Sequence, residues 1–128
     1  MDPFKTPGAF SWCELTAPEP ARAAEFYTRL LGWTVESMDM GSGPYHVVKV
    51  GDAAIGGIMA PPPGSPPMPS FWGCYVTVAS ADDTAGQCVA LGGKLLAGPM
   101  DIPGVGRSAV LQDPQGAVFN VIAYQMPA

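Results

Sequence analysis

The sequence predicts an α+β fold: two tandem βαβββ modules whose strands make a curved mixed sheet around a cleft. Three observations predict it. A strand, a helix and three further strands can be read twice along the chain, and a proline-dense stretch separates the two runs. The runs also echo each other. Cys13 lies 19 residues before Gly32 and Cys74 lies 18 before Gly92; Leu31-Gly32 matches Leu91-Gly92, and Met59-Ala60 answers Ile122-Ala123. An internal repeat is stronger evidence of architecture than any single motif. The expected layout is one domain: a module over 10–60, a proline-rich connector over 61–70 and a module over 71–124.

Each element has a local reason. Ser11 to Thr16 has strand composition and Pro18-Glu19-Pro20 breaks it. Ala21 to Leu31 places Ala23, Phe26, Tyr27, Leu30 and Leu31 on one stripe at helical spacing. Pro20 suits a first helical turn and Gly32 a helix stop. Trp33 to Met38 reads as a strand. Tyr45 to Val50 and Ala53 to Met59 flank Gly51-Asp52, a hairpin signal. The run from Pro61 to Pro69 favours an extended connector, because proline cannot donate to a sheet. Trp72 to Ala79 restarts the pattern. Ser80 or Asp82 caps a helix reaching Leu91, with Ala85, Cys88 and Val89 inward. Lys94 to Ala97 is a strand, and Asp101 to Gly106 a turn-rich loop. Asp113-Pro114-Gln115-Gly116 turns the chain between strands Arg107–Gln112 and Ala117–Tyr124.

Composition excludes several classes. The chain has 128 residues, 48% hydrophobic and 13% charged, with mean hydropathy +0.19. Intrinsic disorder needs the opposite balance. A chain of this size buries about two-thirds of its unfolded surface, enough for a core without staples. Net charge −5 with six scattered Lys and Arg predicts no nucleic-acid partner. No apolar run approaches the ~20 residues of a membrane span, and the first residues lack the apolar stretch of a signal peptide. Cys13, Cys74 and Cys88 are odd in number and lack C-x-x-C spacing. They read as buried small hydrophobes in a reducing, cytoplasmic setting.

The motifs Ala24-Glu25-Phe26-Tyr27…Leu31-Gly32-Trp33, Leu91-Gly92-Gly93 and Asp113-Pro114-Gln115-Gly116, in this order, resemble the vicinal oxygen chelate superfamily. That superfamily includes glyoxalase I, bleomycin resistance proteins, fosfomycin resistance proteins and extradiol dioxygenases. The resemblance covers about Phe10 to Tyr124 and specifies a fold, not an activity. It implies one metal-ligand position on the first and one on the last strand of each module. Counted from the motifs, these positions are Trp12, Gly57 (or Gly56), Gly73 and Asn120. None is a normal ligand for a divalent cation, so no metal and no cofactor are expected.

Strand alternation then predicts an apolar cleft lined by Trp12 and Glu14, by Gly73 and Tyr75, and by Gly57 and Asn120. The two glycines are expected to leave room for a flat or bulky guest. Trp12 offers a stacking surface that attracts cations. Glu14 is the one charge placed inside, where desolvation raises a carboxyl pKa. It is the candidate anchor for a cation or the candidate general base. Plainer readings stand beside these. Trp12 reads equally as core. Glu14 reads equally as half of an ion pair or as a backbone cap. Asn120 reads more readily as a partner of neighbouring backbone. His46 reads as a surface or satisfied strand histidine, Asp113 as a turn former and Arg107 as a solvated strand end. The expectation that follows is a metal-free small-molecule-binding protein that sequesters an aromatic or cationic compound. The alternative is a superfamily enzyme (a lyase, isomerase or dioxygenase), metal-dependent or using Glu14 as base. A third reading is a structural subunit whose cleft is filled by Trp12 and Met59. The resemblance also implies a homodimer.

Overall fold

The computed structural model describes residues 1–39 and 43–125. A short 3-10 turn (Pro3–Lys5) precedes strands β1 (Phe10–Thr16), β2 (Thr34–Asp39), β3 (Pro44–Val50) and β4 (Ala53–Met59), with helix α1 (Pro20–Leu31) after β1. The second run is β5 (Phe71–Thr77), helix α2 (Ala81–Ala90), β6 (Lys94–Ile102), β7 (Gly106–Gln112) and β8 (Val118–Tyr124). The βαβββ order therefore occurs twice, as the sequence predicts.

The chain divides into two compact units, with the division inside β1. One unit is Trp12–Gly73. Its strands run β2-β3-β4-β1, antiparallel except for the parallel β4–β1 pair. Helix α1 starts on Pro20, and the Gly32 N–H closes it on the Thr28 carbonyl with φ +74°. Its buried face is narrower than the sequence stripe. Ala24 is buried with Leu15, Ala17, Val48 and Ile58, and Ala23 and Tyr27 pack against that core. Phe26 (58% exposed), Leu30 and Leu31 lie outside it. The expected stripe is thus corrected in part: Ala23, Ala24 and Tyr27 meet the sheet, and Phe26, Leu30 and Leu31 do not. Trp33 stacks on Tyr27 with centroids 5.7 Å apart, and Trp72 meets Tyr27 edge-on at 5.3 Å.

The other unit joins Met1–Ser11 to the chain from Cys74 onward. Its strands run β5-β8-β7-β6, with β5–β8 parallel. The N-terminal segment belongs here because its backbone pairs with β5: Gly8 N–H donates to the Thr77 carbonyl and Thr77 N–H to that of Ala9. Ser11 and Tyr124 share a 2.7 Å hydrogen bond, and burial pushes the Tyr124 hydroxyl up despite it. Ser80 caps α2 by accepting from Asp83 N–H at 3.1 Å. Ala85 is buried with Ala109, Leu111 and Val121, while Cys88 packs at the edge of this core and Val89 is exposed. Strand β6 runs through Ile102, beyond the expected end at Ala97. Its register shifts between Ala97 and Met100, on either side of Pro99, which has no N–H to give the ladder.

Three further expectations are corrected. Cys13 and Cys74 are exposed and Cys88 is half-buried, so the cysteines are not core hydrophobes; none forms a disulfide. His46 is 9% exposed, pairs through Nδ1 with Ser37 Oγ at 2.7 Å, and its Nε2 has no partner among the described residues. Arg107 is not a solvated strand end. Its guanidinium grips Asp82 twice, at 2.7 and 3.1 Å, and Asp101 at 3.0 Å. It ties the first turn of α2 to β6 and β7. Asp113 is the turn former expected, accepting from Gln115 N–H at 2.8 Å and Ala117 N–H at 3.0 Å.

The Arg107 clamp predicts a pH dependence. The guanidinium holds the Asp82 carboxyl below its ordinary range, chiefly through the hydrogen bond. A carboxyl depressed in the folded state adds stability above its unfolded pKa and loses it as pH falls through the folded one. Urea midpoints of the natural chain and Arg107→Met are therefore expected to differ at about pH 7 and to converge near pH 2. A gap of equal size at both would contradict this account.

Candidate functional site

The Trp12–Gly73 unit has a sheet with two different faces. Register puts Leu15, Ile58, His46 and Val48 on the face that meets α1. Alternation puts Trp12, Glu14, Tyr45, Val47 and Gly57 on the opposite face. Trp12 and Glu14 therefore share a face, as expected.

Tyr45 joins them. The Trp12 indole Nε1–H donates to the Tyr45 hydroxyl at 3.0 Å, and that hydroxyl donates to Glu14 Oε2 at 2.7 Å. The indole nitrogen can only donate and an ionised carboxylate can only accept. The chain of bonds thus has one direction, ending on Glu14. Gly57 makes it possible, since a Cβ there would collide with the Tyr45 hydroxyl and ring. This corrects one expectation: the volume left by Gly57 is filled by Tyr45, within the same unit. Gly56 answers a different need, for its missing side chain lets the Cys13 carbonyl approach. Glu14 is also not the one charge on this face. Register adds Glu36 and Lys49, which pair at 2.6 Å. Hydrogen bonding to Lys49 lowers the Glu36 carboxyl and raises the Lys49 ammonium.

In the other unit Tyr75 pairs in register with Asn120. Both lie on the face away from Val121, Ala109 and Leu111. The Asn120 amide donates to the Cys74 carbonyl at 3.3 Å, so here the neighbouring-backbone reading holds. Gly73, half-buried on β5, is the last residue of the Trp12–Gly73 unit. The registers Glu14↔Gly57 and Tyr75↔Asn120 are equivalent in the two modules. They select Gly57 over Gly56 as the repeat partner of Asn120. Each group of predicted residues is thus assembled within its own unit: Trp12, Glu14 and Gly57 in one, Tyr75 and Asn120 in the other.

Metal chemistry can be tested on these residues. Of the four positions that the resemblance implies as ligands, two, Gly57 and Gly73, have no side chain. The Trp12 N–H is a donor committed to Tyr45, and the Asn120 amide nitrogen is committed to Cys74. A divalent cation needs several converging lone pairs, from imidazole, carboxylate, thiolate or carbonyl oxygen, and of these four residues Asn120 alone offers one on its side chain, its amide oxygen. The set does not fit one. Among the described residues no group of three His, Cys, Asp or Glu is placed to hold an ion elsewhere.

Tyr45 is the site residue the sequence reading missed. It lies diagonal to Gly57, two residues from that glycine's direct partner Val47. No helix of the described residues is long and apolar enough to cross a membrane.

Comparison with known proteins places these observations. The chain is 47% identical over 116 residues to the Mycobacterium tuberculosis protein named "Putative glyoxylase CFP32", covering 90% of this chain and 44% of that protein. It is 33% identical over 128 residues to the anthracycline biosynthesis protein DnrV of Streptomyces peucetius, covering 90% and 46%. The chain therefore spans less than half the length of these relatives. Among solved structures it resembles methylmalonyl-CoA epimerase from Mycobacterium tuberculosis, with TM-score 0.70 and 14% identity over 95% of this chain and 92% of that one. An extradiol ring-cleaving dioxygenase from B. fuscum matches with TM-score 0.64 and 15% identity, covering 91% and 32%. At such identities the likeness is one of fold. The model of the glyoxalase/bleomycin resistance protein/dioxygenase superfamily matches residues 9–121, and the chain belongs to that superfamily.

Proposed function

We propose that this chain binds a small organic molecule without a metal ion, on the sheet face of the Trp12–Gly73 unit turned away from α1. The observation that carries this reading is the Trp12–Tyr45–Glu14 chain laid across Gly57. It offers an aromatic surface and a carboxylate in one place, around Trp12 and Gly57, two of the positions that the resemblance implies as ligands. An indole face and a carboxylate together suit a flat cation. The net charge of −5 adds long-range attraction for such a guest. Gly73, Tyr75 and Asn120 remain the second group of candidate contacts. The homodimer that the resemblance implies stays part of the proposal. Light scattering tests it by a mass of about twice 13.3 kDa.

The test is a titration with benzamidinium, a flat aromatic cation, and with benzoate, a similar ring of opposite charge. Benzamidinium is expected to quench tryptophan emission saturably, and Trp12→Phe to remove that response. Glu14→Gln is expected to weaken binding about tenfold, the scale of a lost charge-assisted hydrogen bond. Equal binding of both rings, or an unaltered affinity in Glu14→Gln, contradicts the proposal.

A second reading is favoured by the Tyr45–Glu14 bond itself, since a carboxylate held by a hydroxyl has the geometry of an oriented general base. In that case the chain is a superfamily enzyme, a lyase or isomerase that removes a proton beside a carbonyl. The glyoxylase and epimerase names of its relatives and neighbours lie in this direction. Glu14→Gln then abolishes turnover with the fold intact, and chelation leaves the natural chain active.

A further inference from the structure

We propose that Tyr45 is the positioning residue of this site, fixing Trp12 and Glu14 to each other and so selecting guests that donate hydrogen bonds to a carboxylate. The choice of guest rests on the function proposed above; the positioning role does not.

The argument starts from donor and acceptor chemistry. Trp12 Nε1–H and the Glu14 carboxylate are separated by a single hydroxyl that accepts from one and donates to the other. Among side chains that keep an aromatic ring, tyrosine supplies such a hydroxyl and phenylalanine does not. The ring is placed by its strand, because alternation and register put Tyr45 two residues from Val47, the direct partner of Gly57. Any side chain at position 57 would take the ring's place. Gly57 and Tyr45 therefore act as a pair, one leaving the volume and the other filling it. Lys49, the cation that register places on this face, is held by Glu36 at 2.6 Å. Glu14 accepts instead from the Tyr45 hydroxyl. A guest meeting this array meets an acceptor backed by an indole: an amidinium, guanidinium or aromatic amine fits, and an anion of the same shape does not.

The experiment follows the indole N–H resonances of Trp12, Trp33 and Trp72 by two-dimensional NMR in the natural chain, Glu14→Gln, Tyr45→Phe and the double variant. Tyr45→Phe keeps the ring over Gly57 and removes only the hydroxyl. Glu14→Gln is expected to shift the Trp12 resonance in the natural background. It is expected to shift that resonance much less in the Tyr45→Phe background, because the hydroxyl that joins the two has gone. Trp33 and Trp72 serve as internal controls, and a merely structural Tyr45 moves no such coupling. An equal Trp12 shift in both backgrounds overturns the positioning role. Benzamidinium affinity is expected to fall about tenfold in Tyr45→Phe, with benzoate weak throughout. An unchanged benzamidinium affinity overturns the selective role, even if binding itself is real. An intact coupling with no benzamidinium binding supports the positioning role and overturns the guest class. The two claims thus fail separately.

Discussion

Gly57→Ala is expected to dismantle the Trp12–Tyr45–Glu14 chain and with it most guest binding. The added methyl group would occupy the place of the Tyr45 hydroxyl and ring. The obstacle is the far end of a side chain rather than backbone, so the strand can remain and Tyr45 must swing away. Two hydrogen bonds go with it, one of them to a charged acceptor. Their loss costs about 1–3 kcal/mol of folding stability. Benzamidinium affinity is expected to fall at least about tenfold. The double variant Gly57→Ala, Tyr45→Ala sharpens the result. Because the first change already displaces the ring, the second is expected to cost much less there than alone. Additive costs in urea unfolding would show that Tyr45 and Gly57 are not coupled.

Leu111→Ala is expected to be the largest single loss of stability. Leu111 is 0% exposed and packs in the cluster of Ala85, Ala109 and Val121. Two of its buried cluster neighbours, Ala85 and Ala109, have little side chain to collapse into a void. Truncation of a buried leucine costs about 2–5 kcal/mol, or a fall in Tm of about 10 °C for a chain of this length. Leu91→Ala is the matched control, because Leu91 is 80% exposed and is expected to change stability by less than about 0.5 kcal/mol. Similar costs at the two positions would refute the placement of the core.

Much of the fold could be read from local chemistry. The two element runs follow from helical spacing, the turn residues and the proline stretch, and all eight strands and both helices lie near their expected places. What could not be read came from one extra residue. The pairs Val50↔Ala53 and Lys49↔Ala54 follow a plain hairpin around Gly51-Asp52, but Val48 then pairs with Gly56, skipping Ile55. A one-residue shift exchanges the two faces of everything beyond it. Without that bulge His46 would pair with Gly57 on the Glu14 face, and Tyr45 would pair with Ile58 in the core. The bulge reverses both, which is why His46 is buried and Tyr45 belongs to the site. Nothing in the residue types of β3 and β4 marks it. The α1 stripe went astray for a related reason. Periodicity locates a helix face but does not decide which of its side chains approach the sheet, and here Ala23, Ala24 and Tyr27 do while Phe26, Leu30 and Leu31 stay exposed. Trp12 is reached by counting along the motifs of the resembled family, Gly57 (or Gly56) through the repeat, and Glu14 by alternation from Trp12 along β1.

The most direct measurement is a benzamidinium titration followed at the three indole N–H resonances, run once in excess chelator and once with added divalent metal. The account predicts a saturable shift of Trp12 alone, with the same midpoint in both samples. A shift that appears only with metal, or one confined to Trp33 and Trp72 while Trp12 stays still, would contradict it.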